Sequence, residues 1–319
     1  MRVAVIGYRN HAKKIINLLN KNPKISEIIV YNYKLKDDYF DKKITYSNNI
    51  NLCKKAVAVF VACPSKKHYY FTKTFLEKKK YVFCEKPPFS SNEQIRSIYN
   101  YKKKFKKLYF NFNYEFTDFF SQIRKEIKDK KNGKLISIDF SSSHGLAFKK
   151  GISWRFDGKL KIDNLLGNLG IHYLYFLKKV SPSIKIINTF YSSNVKKNRL
   201  DTMRCFLKND YGLSANIFLS YASVGLKINI IRFTNCVLII NDKFIEKYYP
   251  RNTFNSKGNF TIPPKQIIKN TRQVDIKNSL EKSINYFINV VHRKNFFSKK
   301  NIQTALEVNK MILSSKILK

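Results

Sequence analysis

The feature that most constrains the fold of this chain is the regular alternation of short apolar runs with helical patterns over its first 110 residues. Short apolar runs are typical of strands buried on both faces, and the amphipathic segments between them are typical of crossover helices. The predicted strands lie at 2–6, 27–31, 56–62, 81–85 and 107–112, and the predicted helices at 11–20, 68–79 and 91–104. This alternation predicts a doubly wound parallel sheet.

The pattern changes after Gly133, where longer stretches alternate apolar and polar residues between turn formers. Such alternation is typical of an antiparallel sheet with one covered face. Strands are predicted at 134–141, 184–191, 203–208, 213–221, 227–232 and 236–241, helices at 117–130, 165–178 and from 278 onward, and a loop at 250–273. We therefore predict two domains, 1–115 and an α+β domain over 116–319, with a C-terminal helix that can pack back on the first.

The second constraint is a formal net charge of +41, from 62 Lys and Arg against 21 Asp and Glu in 319 residues. Clustered positive charge favours nucleic acid or anionic membranes as partners. Here 51 lysines and only 11 arginines are spread over the whole length, among many Asn, Ile, Tyr and Phe residues that AT-rich codons supply. We interpret the excess as a solvated surface and expect no nucleic-acid partner, since such a partner would require lysines on one face and steep salt dependence.

Cysteine spacing and hydropathy restrict the remaining classes of protein. The five cysteines show neither C-x-x-C nor C-x-x-H spacing, so we expect neither a metal site nor disulfides. The N-terminus runs directly into a strand pattern without a signal-peptide profile, and no stretch reaches the ~18–20 apolar residues of a membrane helix. A cytoplasmic location without a membrane partner is expected.

The turn after the first predicted strand carries a dinucleotide-binding pattern. In such turns the first glycine makes the tight turn, the second lets the backbone approach a pyrophosphate, and the third position needs a small side chain. Gly7 and Ala12 fit the outer positions, whereas Arg9 stands at the middle one, where it either pairs with a phosphate or blocks its approach. Because a helix N-terminus stabilises a phosphate, we expect cofactor contacts from Gly7, Tyr8, Arg9 and Asn10.

The end of the second predicted strand bears on the choice between NAD and NADP. An NAD-binding domain usually places an acid there, for the ribose hydroxyls. This chain has Asn32 and Lys34 instead, and its next carboxylate is Asp37. Asn32 can bond a hydroxyl and Lys34 can accept a 2′-phosphate, so both cofactors remain open, with a slight preference for NAD.

The most specific pattern follows the third and fourth predicted strands. Residues 63–65 (CPS) and His68 follow the strand AVAVFVA, and residues 85–87 (EKP) follow the next strand. A lysine at the carboxyl end of a parallel strand lies in the crevice where such sheets bind ligands. With GNLGIH at 167–172, this order and spacing resemble the glucose-fructose oxidoreductase, inositol dehydrogenase and rhizopine catabolism (Gfo/Idh/MocA) family. The resemblance extends over the chain through 111–114, 133–134, 153–155 and the C-terminal helix.

The resemblance implies an N-terminal Rossmann domain and a C-terminal α+β domain whose open, mostly antiparallel sheet joins a homo-dimer or homo-tetramer. It implies NAD(P)-dependent hydride transfer at a secondary alcohol or ketone of a sugar, cyclitol or nucleotide sugar, a small-molecule substrate that can carry phosphate. The implied catalytic residues are Lys86, His172 and Asn168. The implied cofactor-binding residues are Gly7, Tyr8, Arg9, Asn10, Asn32, Cys63, Pro64, Ser65, His68, Glu85 and Lys86. The implied substrate-binding residues are Asn113, Tyr114, Trp154, Arg155, Asn168 and His172.

The chemistry of these side chains is compatible with the implied roles. Oxidation of an alcohol needs a base for the hydroxyl proton, and histidine, with a reference pKa near ~6.5, suits that task. A lysine ammonium stabilises the developing charge on the same oxygen. Without the family pattern, His172 would be interpreted as a hydrogen-bonded core histidine.

Departures from the family pattern leave alternatives open. Asn168 and Tyr175 stand where the family often has aspartates, and Glu115 stands where many members have arginine. One alternative is a non-catalytic scaffold of this fold, and another is a redox-assisted glycosidase. The pattern assigns no partner to His11 or His144.

Overall fold

The computed structural model describes residues 1–35, 38–101, 105–148, 161–195, 199–241, 243–270, 276–316 and 318. The chain folds into two compact units, of which the first comprises Met1–Phe116 and Lys277–Leu313 and the second Thr117–Ile276 and Ser314–Lys319.

Strands and helices are numbered along the chain. The strands are β1 (Arg2–Ile6), β2 (Glu27–Tyr31), β3 (Tyr39–Asp41), β4 (Ile44–Ser47), β5 (Ala58–Val61), β6 (Tyr81–Cys84), β7 (Leu108–Phe110), β8 (Leu135–Ser143), β9 (Lys185–Ser192), β10 (Thr202–Lys208), β11 (Ser214–Ser220), β12 (Lys227–Phe233), β13 (Val237–Asn241), β14 (Phe244–Tyr248) and β15 (Lys265–Asn270). The helices are α1 (Asn10–Lys21), α2 (His68–Glu77), α3 (Asn92–Tyr99), α4 (Asp118–Lys128), α5 (Ile171–Val180), α6 (Ile276–His292) and α7 (Lys299–Ser314).

The first unit is built on a seven-stranded sheet with the order β3-β4-β2-β1-β5-β6-β7. Every neighbouring pair is parallel except β3 with β4. The chain moves outward from β1 through β2 and then returns to place β5 on the other side of β1. The predicted doubly wound sheet is confirmed, and its strand order reverses at β1, where open parallel sheets bind ligands at their carboxyl ends.

Residues from the end of the chain complete the core of this unit. Phe287 of α6 is fully buried, and its ring lies 5.1 Å from that of Phe60 and 5.4 Å from that of Phe83, measured between centroids. Phe297 stacks on Phe287 at 5.2 Å. Large aromatic rings contribute strongly to core energetics, so the parallel sheet depends on α6 for part of its packing.

The second unit contains an eight-stranded sheet with the order β15-β14-β13-β12-β8-β11-β10-β9. Its neighbours are antiparallel except β8 and β11, as the predicted open, mostly antiparallel sheet requires. One face is covered by α4 and α5, where Phe120 stacks on Phe176 at 4.4 Å and Phe140 lies 4.8 Å from Tyr173.

The other face of this sheet is termed the open face and is defined by Phe190, Phe206, Phe218 and Ile228. The register places Phe190, Phe218 and Ile228 in one row across the sheet and Phe206 in the next row on the same face, and Cys205 and Leu207 point to the covered face. Phe190, Phe206 and Ile228 keep 43%, 40% and 40% of their surface exposed. Apolar side chains are therefore exposed on this face of the sheet.

Two predictions about secondary structure were wrong in detail. The predicted loop at 250–273 contains β15, which pairs with β14. The strand was not predicted because its two adjacent isoleucines stand between polar residues and do not alternate with them. The predicted helix at 165–178 begins with a π-helical turn over Leu166–Gly170 before α5 starts. Short β3, β4 and β14 were not predicted at all, since each is too short or too polar to alternate visibly.

Within the described residues, no helix is both long and apolar enough to cross a membrane.

Candidate functional site

The turn at Gly7 shapes the carboxyl edge of the parallel sheet. Gly7 has φ +117°, a backbone conformation that residues other than glycine rarely adopt. A Cβ built on Gly7 would lie 2.7 Å from the carbonyl oxygen of Ala62, at the end of β5. The Gly7 N–H donates to the carbonyl of Tyr31, at the end of β2. The ends of β1, β2 and β5 are thus held together in a way that requires glycine.

The N-terminus of α1 starts directly after this turn and is open to an anion. Arg9 occupies the N-cap position without a capping side-chain bond, and no acidic residue lies in the first turn. Arg9, Asn10 and His11 are exposed, and the Lys13 ammonium lies 4.7 Å from the centre of the Tyr8 ring. The first N–H groups of a helix have no intrahelical acceptors and attract negative charge. These residues fit the pyrophosphate of a dinucleotide cofactor.

The loops after β5 and β6 are joined by the buried ring of His68. Its Nδ1 lies 2.8 Å from the carbonyl oxygen of Pro87, and its Nε2 lies 2.9 Å from that of Cys63. Cys63 itself is half-buried, and burial raises the pKa of its thiol to about 12, so the thiol is protonated at neutral pH. His68 therefore supports the two loops that carry Ser65 and Lys86.

Glu85 is a buried acid at this edge, with 8% of its side chain exposed. Its Oε1 lies 2.8 Å from Nε2 of His11 and accepts a 2.7 Å hydrogen bond from Nδ2 of Asn111. Its Oε2 accepts a 3.3 Å bond from the backbone N–H of Lys86. Ser283 of α6 donates to Oδ1 of Asn111 at 2.7 Å. The carboxylate thus joins α1, the end of β7 and the loop of Lys86.

The pKa values of this pair follow from its contacts. Burial alone would raise the pKa of Glu85, but the charge of His11 and hydrogen bonds from His11 and Asn111 lower it below its ordinary value. The Glu85 charge raises the pKa of His11 above 6.5, against burial and the charges of Lys86 and Lys14. The pair therefore favours a carboxylate beside an imidazolium.

Asn32 follows β2 and supports its own turn. Its Oδ1 accepts the backbone N–H of Lys34 at 3.2 Å, and its N–H donates to the carbonyl of Ser47 at 2.9 Å. The side-chain oxygen is therefore engaged, and the amide nitrogen is the group that can donate to a ribose hydroxyl.

Asn113 and Tyr114 lie in a short helical turn after β7. Nδ2 of Asn113 donates to Oγ of Ser279 on α6 at 2.7 Å, and Tyr114 is half-buried beside it. Trp154 and Arg155, the other two residues expected at a substrate loop, lie outside the described residues.

The motif GNLGIH of the second unit is built on close backbone packing. A Cβ on Gly167 would lie 2.0 Å from the carbonyl oxygen of Ile162, and the Gly167 N–H donates to Oδ1 of Asn164 at 3.0 Å. Only glycine fits at this contact. The helical turn that follows therefore holds Asn168 and His172 in fixed positions on a buried segment.

Asn168 lies in the π-helical turn Leu166–Gly170, and His172 lies in the first turn of α5. Nδ2 of Asn168 donates to the hydroxyl of Tyr221 at 3.0 Å, and the His144 ring lies 4.5 Å from the Tyr221 ring. His172 is 4% exposed in the first turn of α5, and Tyr175, one turn later, is also buried. Asn168 is thus oriented by a buried tyrosine that no sequence pattern predicts.

The structure therefore brings the predicted cofactor-binding residues to the carboxyl ends of β1, β2, β5 and β6, and it places Asn168 and His172 on one helical segment. His11, Asn111, Ser283 and Tyr221 were missed. His11 and Glu85 are 74 positions apart in sequence, so only the fold brings them together. The sequence pattern assigned no partner to His11, whereas the structure pairs its ring with Glu85. Among the described residues, no cluster of His, Cys, Asp and Glu side chains could hold a metal ion.

The parallel sheet and the glycine turn after β1 define a fold of the Rossmann type. Residues 1–112 match the family described as "Oxidoreductase family, NAD-binding Rossmann fold". This match confirms the predicted resemblance to the Gfo/Idh/MocA oxidoreductase family over residues 1–112.

Individual relatives are distant. An uncharacterized oxidoreductase of Bacillus subtilis, YfiI, is 26% identical over 139 residues, which cover 40% of this chain and 35% of that protein. UDP-N-acetylglucosamine 3-dehydrogenase from Acidithiobacillus ferrooxidans aligns with a TM-score of 0.75 and 12% identity over 99% of this chain and 96% of that one. A 3-ketoreductase from Actinomadura kijaniata, solved with NADP and TDP-benzene, aligns with a TM-score of 0.76 and 14% identity over the same shares, 99% and 96%. At these identities the structural likeness establishes the fold.

Proposed function

We propose that this protein is an NAD(P)-dependent oxidoreductase that transfers a hydride at a secondary alcohol or ketone of a sugar-like molecule. The observation that carries the proposal is the turn at Gly7, where a positive φ and a 2.7 Å approach of Ala62 to a built Cβ require glycine directly before an uncapped helix N-terminus. The match of residues 1–112 to an NAD-binding family supports it.

A nicotinamide cofactor held at the Gly7 turn would supply or accept the hydride when bound, and the side chains of the protein manage the proton and the charge. His172 acts as the base for the hydroxyl proton, since imidazole titrates near neutral pH. The Lys86 ammonium stabilises negative charge on the reacting oxygen. Asn168, held by the Tyr221 hydroxyl, orients substrate or imidazole by hydrogen bonding. Asn113, Tyr114, Trp154 and Arg155 are proposed to contact the substrate.

A nucleotide sugar is the proposed substrate class. One structural relative is named for UDP-N-acetylglucosamine, and another was solved with TDP-benzene. A phosphate-bearing substrate also suits a chain of net charge +41, which attracts anions from a distance.

The test is a titration of the protein with NADH and NADPH, followed by nicotinamide fluorescence and calorimetry. We expect micromolar binding of at least one cofactor, and the tighter one decides between NAD and NADP. Gly7→Ala is expected to weaken binding at least about tenfold, because the new methyl must displace backbone. Gly212→Ala is the matched control, since Gly212 also has a positive φ, +87°, but nothing lies within 4 Å of its built Cβ.

Each outcome has a clear meaning. Binding that is lost in Gly7→Ala and kept in Gly212→Ala supports the proposal and justifies a screen of nucleotide sugars. Failure of the wild-type protein to bind either cofactor would contradict it and favour the non-catalytic scaffold. Cleavage of a glycoside during the screen would instead favour the redox-assisted glycosidase.

We further propose that a second copy of the chain covers the open face, giving a homo-dimer or homo-tetramer. Phe190 and Phe206 are exposed there on neighbouring strands of the eight-stranded sheet. The charge of +41 makes copies repel one another, and salt screens that repulsion. Analytical ultracentrifugation should therefore detect an assembly that strengthens with salt and that Phe206→Asp dissociates. The control is Val224→Asp, which changes a more exposed apolar residue outside the sheet; a monomer at every concentration would contradict the proposal.

A further inference from the structure

His11 lies in the first turn of α1 and touches the buried acid Glu85 at the carboxyl edge. Its side chain is 51% exposed, whereas that of Glu85 is 8% exposed, and the Nε2–Oε1 distance is 2.8 Å. The His11 ring thus faces solvent, where the pyrophosphate would approach, and the Glu85 carboxylate lies inside the first unit.

Glu85 transmits this contact to Lys86. Its second carboxylate oxygen accepts the backbone N–H of Lys86 at 3.3 Å, while Asn111 donates to the first oxygen at 2.7 Å. A buried carboxylate without a positive partner is strongly unfavourable. His11 is therefore the main group that keeps Glu85 ionised beside the Lys86 backbone, with smaller contributions from the Asn111 hydrogen bond and the Lys86 charge.

Three charged groups act on the His11 ring. Glu85, from the end of β6, favours the imidazolium, whereas Lys86, from the loop after β6, and Lys14, on α1 itself, oppose it. The positive end of the α1 dipole also opposes it. Because Lys86, Lys14, burial and the helix dipole all disfavour the charge, the protonation of His11 depends on Glu85.

We propose that His11 is a positioning residue, which holds the Lys86 loop through Glu85 and adds a titratable positive charge to the pyrophosphate-binding end of α1. The inference rests on the proposed cofactor-binding function. An anion bound at this helix end favours the imidazolium, so cofactor affinity is high below the pKa of His11 and falls as pH rises through it. The same sign applies to folding on the His11 side, where the stabilisation is fully present at pH 6.5 and is lost as pH rises through the raised pKa of His11. On the Glu85 side the stabilisation is present above the ordinary carboxyl pKa of 4.5 and is lost as pH falls through the lowered pKa of Glu85.

The first experiment needs no cofactor. The protein has five histidines, so their imidazole signals can be assigned by NMR and titrated individually. We expect His11 to titrate above 6.5 in the wild-type protein. In Glu85→Gln, which keeps the shape of the side chain, we expect its pKa to fall below 6.5, because burial and the charges of Lys86 and Lys14 then act unopposed by Glu85. An unchanged His11 pKa in Glu85→Gln would overturn the inference.

The second experiment measures NADH and NADPH affinity from pH 6 to pH 9. Wild-type affinity should fall roughly twofold to tenfold with rising pH, the scale of one added charge at an exposed helix end. His11→Gln keeps a donor for Glu85 but not the charge, and it should bind at all pH values with the wild-type high-pH affinity. Lys13→Gln is the matched control: it removes a neighbouring positive charge but leaves the contact of His11 with Glu85, so it should weaken binding and keep the pH dependence.

These experiments separate the inference from the proposed function. Binding with the same pH dependence in wild type and His11→Gln would overturn the role of His11 and leave the oxidoreductase proposal intact. A complete absence of cofactor binding at every pH would overturn both.

Discussion

Gly167→Ala offers the sharpest test of how the second unit holds His172. The built Cβ lies 2.0, 2.5 and 2.7 Å from the carbonyl oxygen, carbonyl carbon and Cα of Ile162. All three atoms are backbone, so no rotamer change relieves the overlap. Gly170→Ala in the same motif is the matched control, because its Cβ meets only the ends of leucine side chains, the nearest at 2.8 Å.

The expected costs differ for this reason. An alanine normally stabilises a helical position by about 0.5–1 kcal/mol relative to glycine, and forcing atoms into a packed core costs about 1–3 kcal/mol or more. Gly170→Ala should therefore stay within about 1 kcal/mol of wild type, because the leucine ends can move. Gly167→Ala should lose about 2–4 kcal/mol, since backbone must shift.

Urea and thermal unfolding, each followed by far-ultraviolet circular dichroism, measure this difference. For a unit of this size a loss of 1 kcal/mol lowers Tm by roughly 2–4 °C, so Gly167→Ala should melt about 5–15 °C below the control. Equal stability of the two variants would refute the close packing of Ile162 on Gly167.

Three further predictions concern charged and catalytic side chains. Glu126→Gln should destabilise the protein by about 3–5 kcal/mol in urea, because it leaves Lys247, 11% exposed and 3.2 Å away, as an uncompensated buried charge. Glu93→Gln, in an ion pair 73% exposed on each side, should leave the urea midpoint unchanged. His172→Ala should lower turnover at least ~10²-fold, most severely near neutral pH, and a smaller loss in steady-state assays would contradict its role as base. Lys86→Ala should abolish hydride transfer and leave cofactor binding nearly intact by calorimetry, so retained turnover would contradict its role.

The sequence predicts the parallel sheet well because each inner strand is buried on both faces. Residues 58–61 are all at most 1% exposed and read as a continuous apolar run. Strand β14 buries Glu246 and Lys247 beside Ile245, and β15 lies at the sheet edge with residues 265–267 exposed, so neither strand alternates buried apolar and exposed polar residues. Local pattern is weak in such strands, and pairing with neighbours decides their structure.

Some residues of the candidate site could be predicted from the local sequence, and others could not. Gly7 and Lys86 lie in local motifs, so the sequence identifies them directly. His11 and Tyr221 act through partners distant in sequence, Glu85 and Asn168 respectively. A histidine without a partner nearby in the sequence cannot be recognised as a site residue from the sequence. The contact of His11 with Glu85 forms only when the fold brings the ends of β1 and β6 together.

The position of α6 has a consequence for biosynthesis. The first unit takes Phe287, Ser279 and Ser283 from a stretch that leaves the ribosome only after the whole of 117–276 has been made. Until then, the aromatic surface around Phe60 and Phe83 lacks the cover of α6, and Asn111 lacks the serine that holds it. The nascent parallel sheet is therefore incomplete for more than half of translation, and a fragment ending at residue 116 would leave aromatic rings in water. We expect chaperones that shield aromatic surface to bind this intermediate, while the inserted antiparallel sheet can already fold.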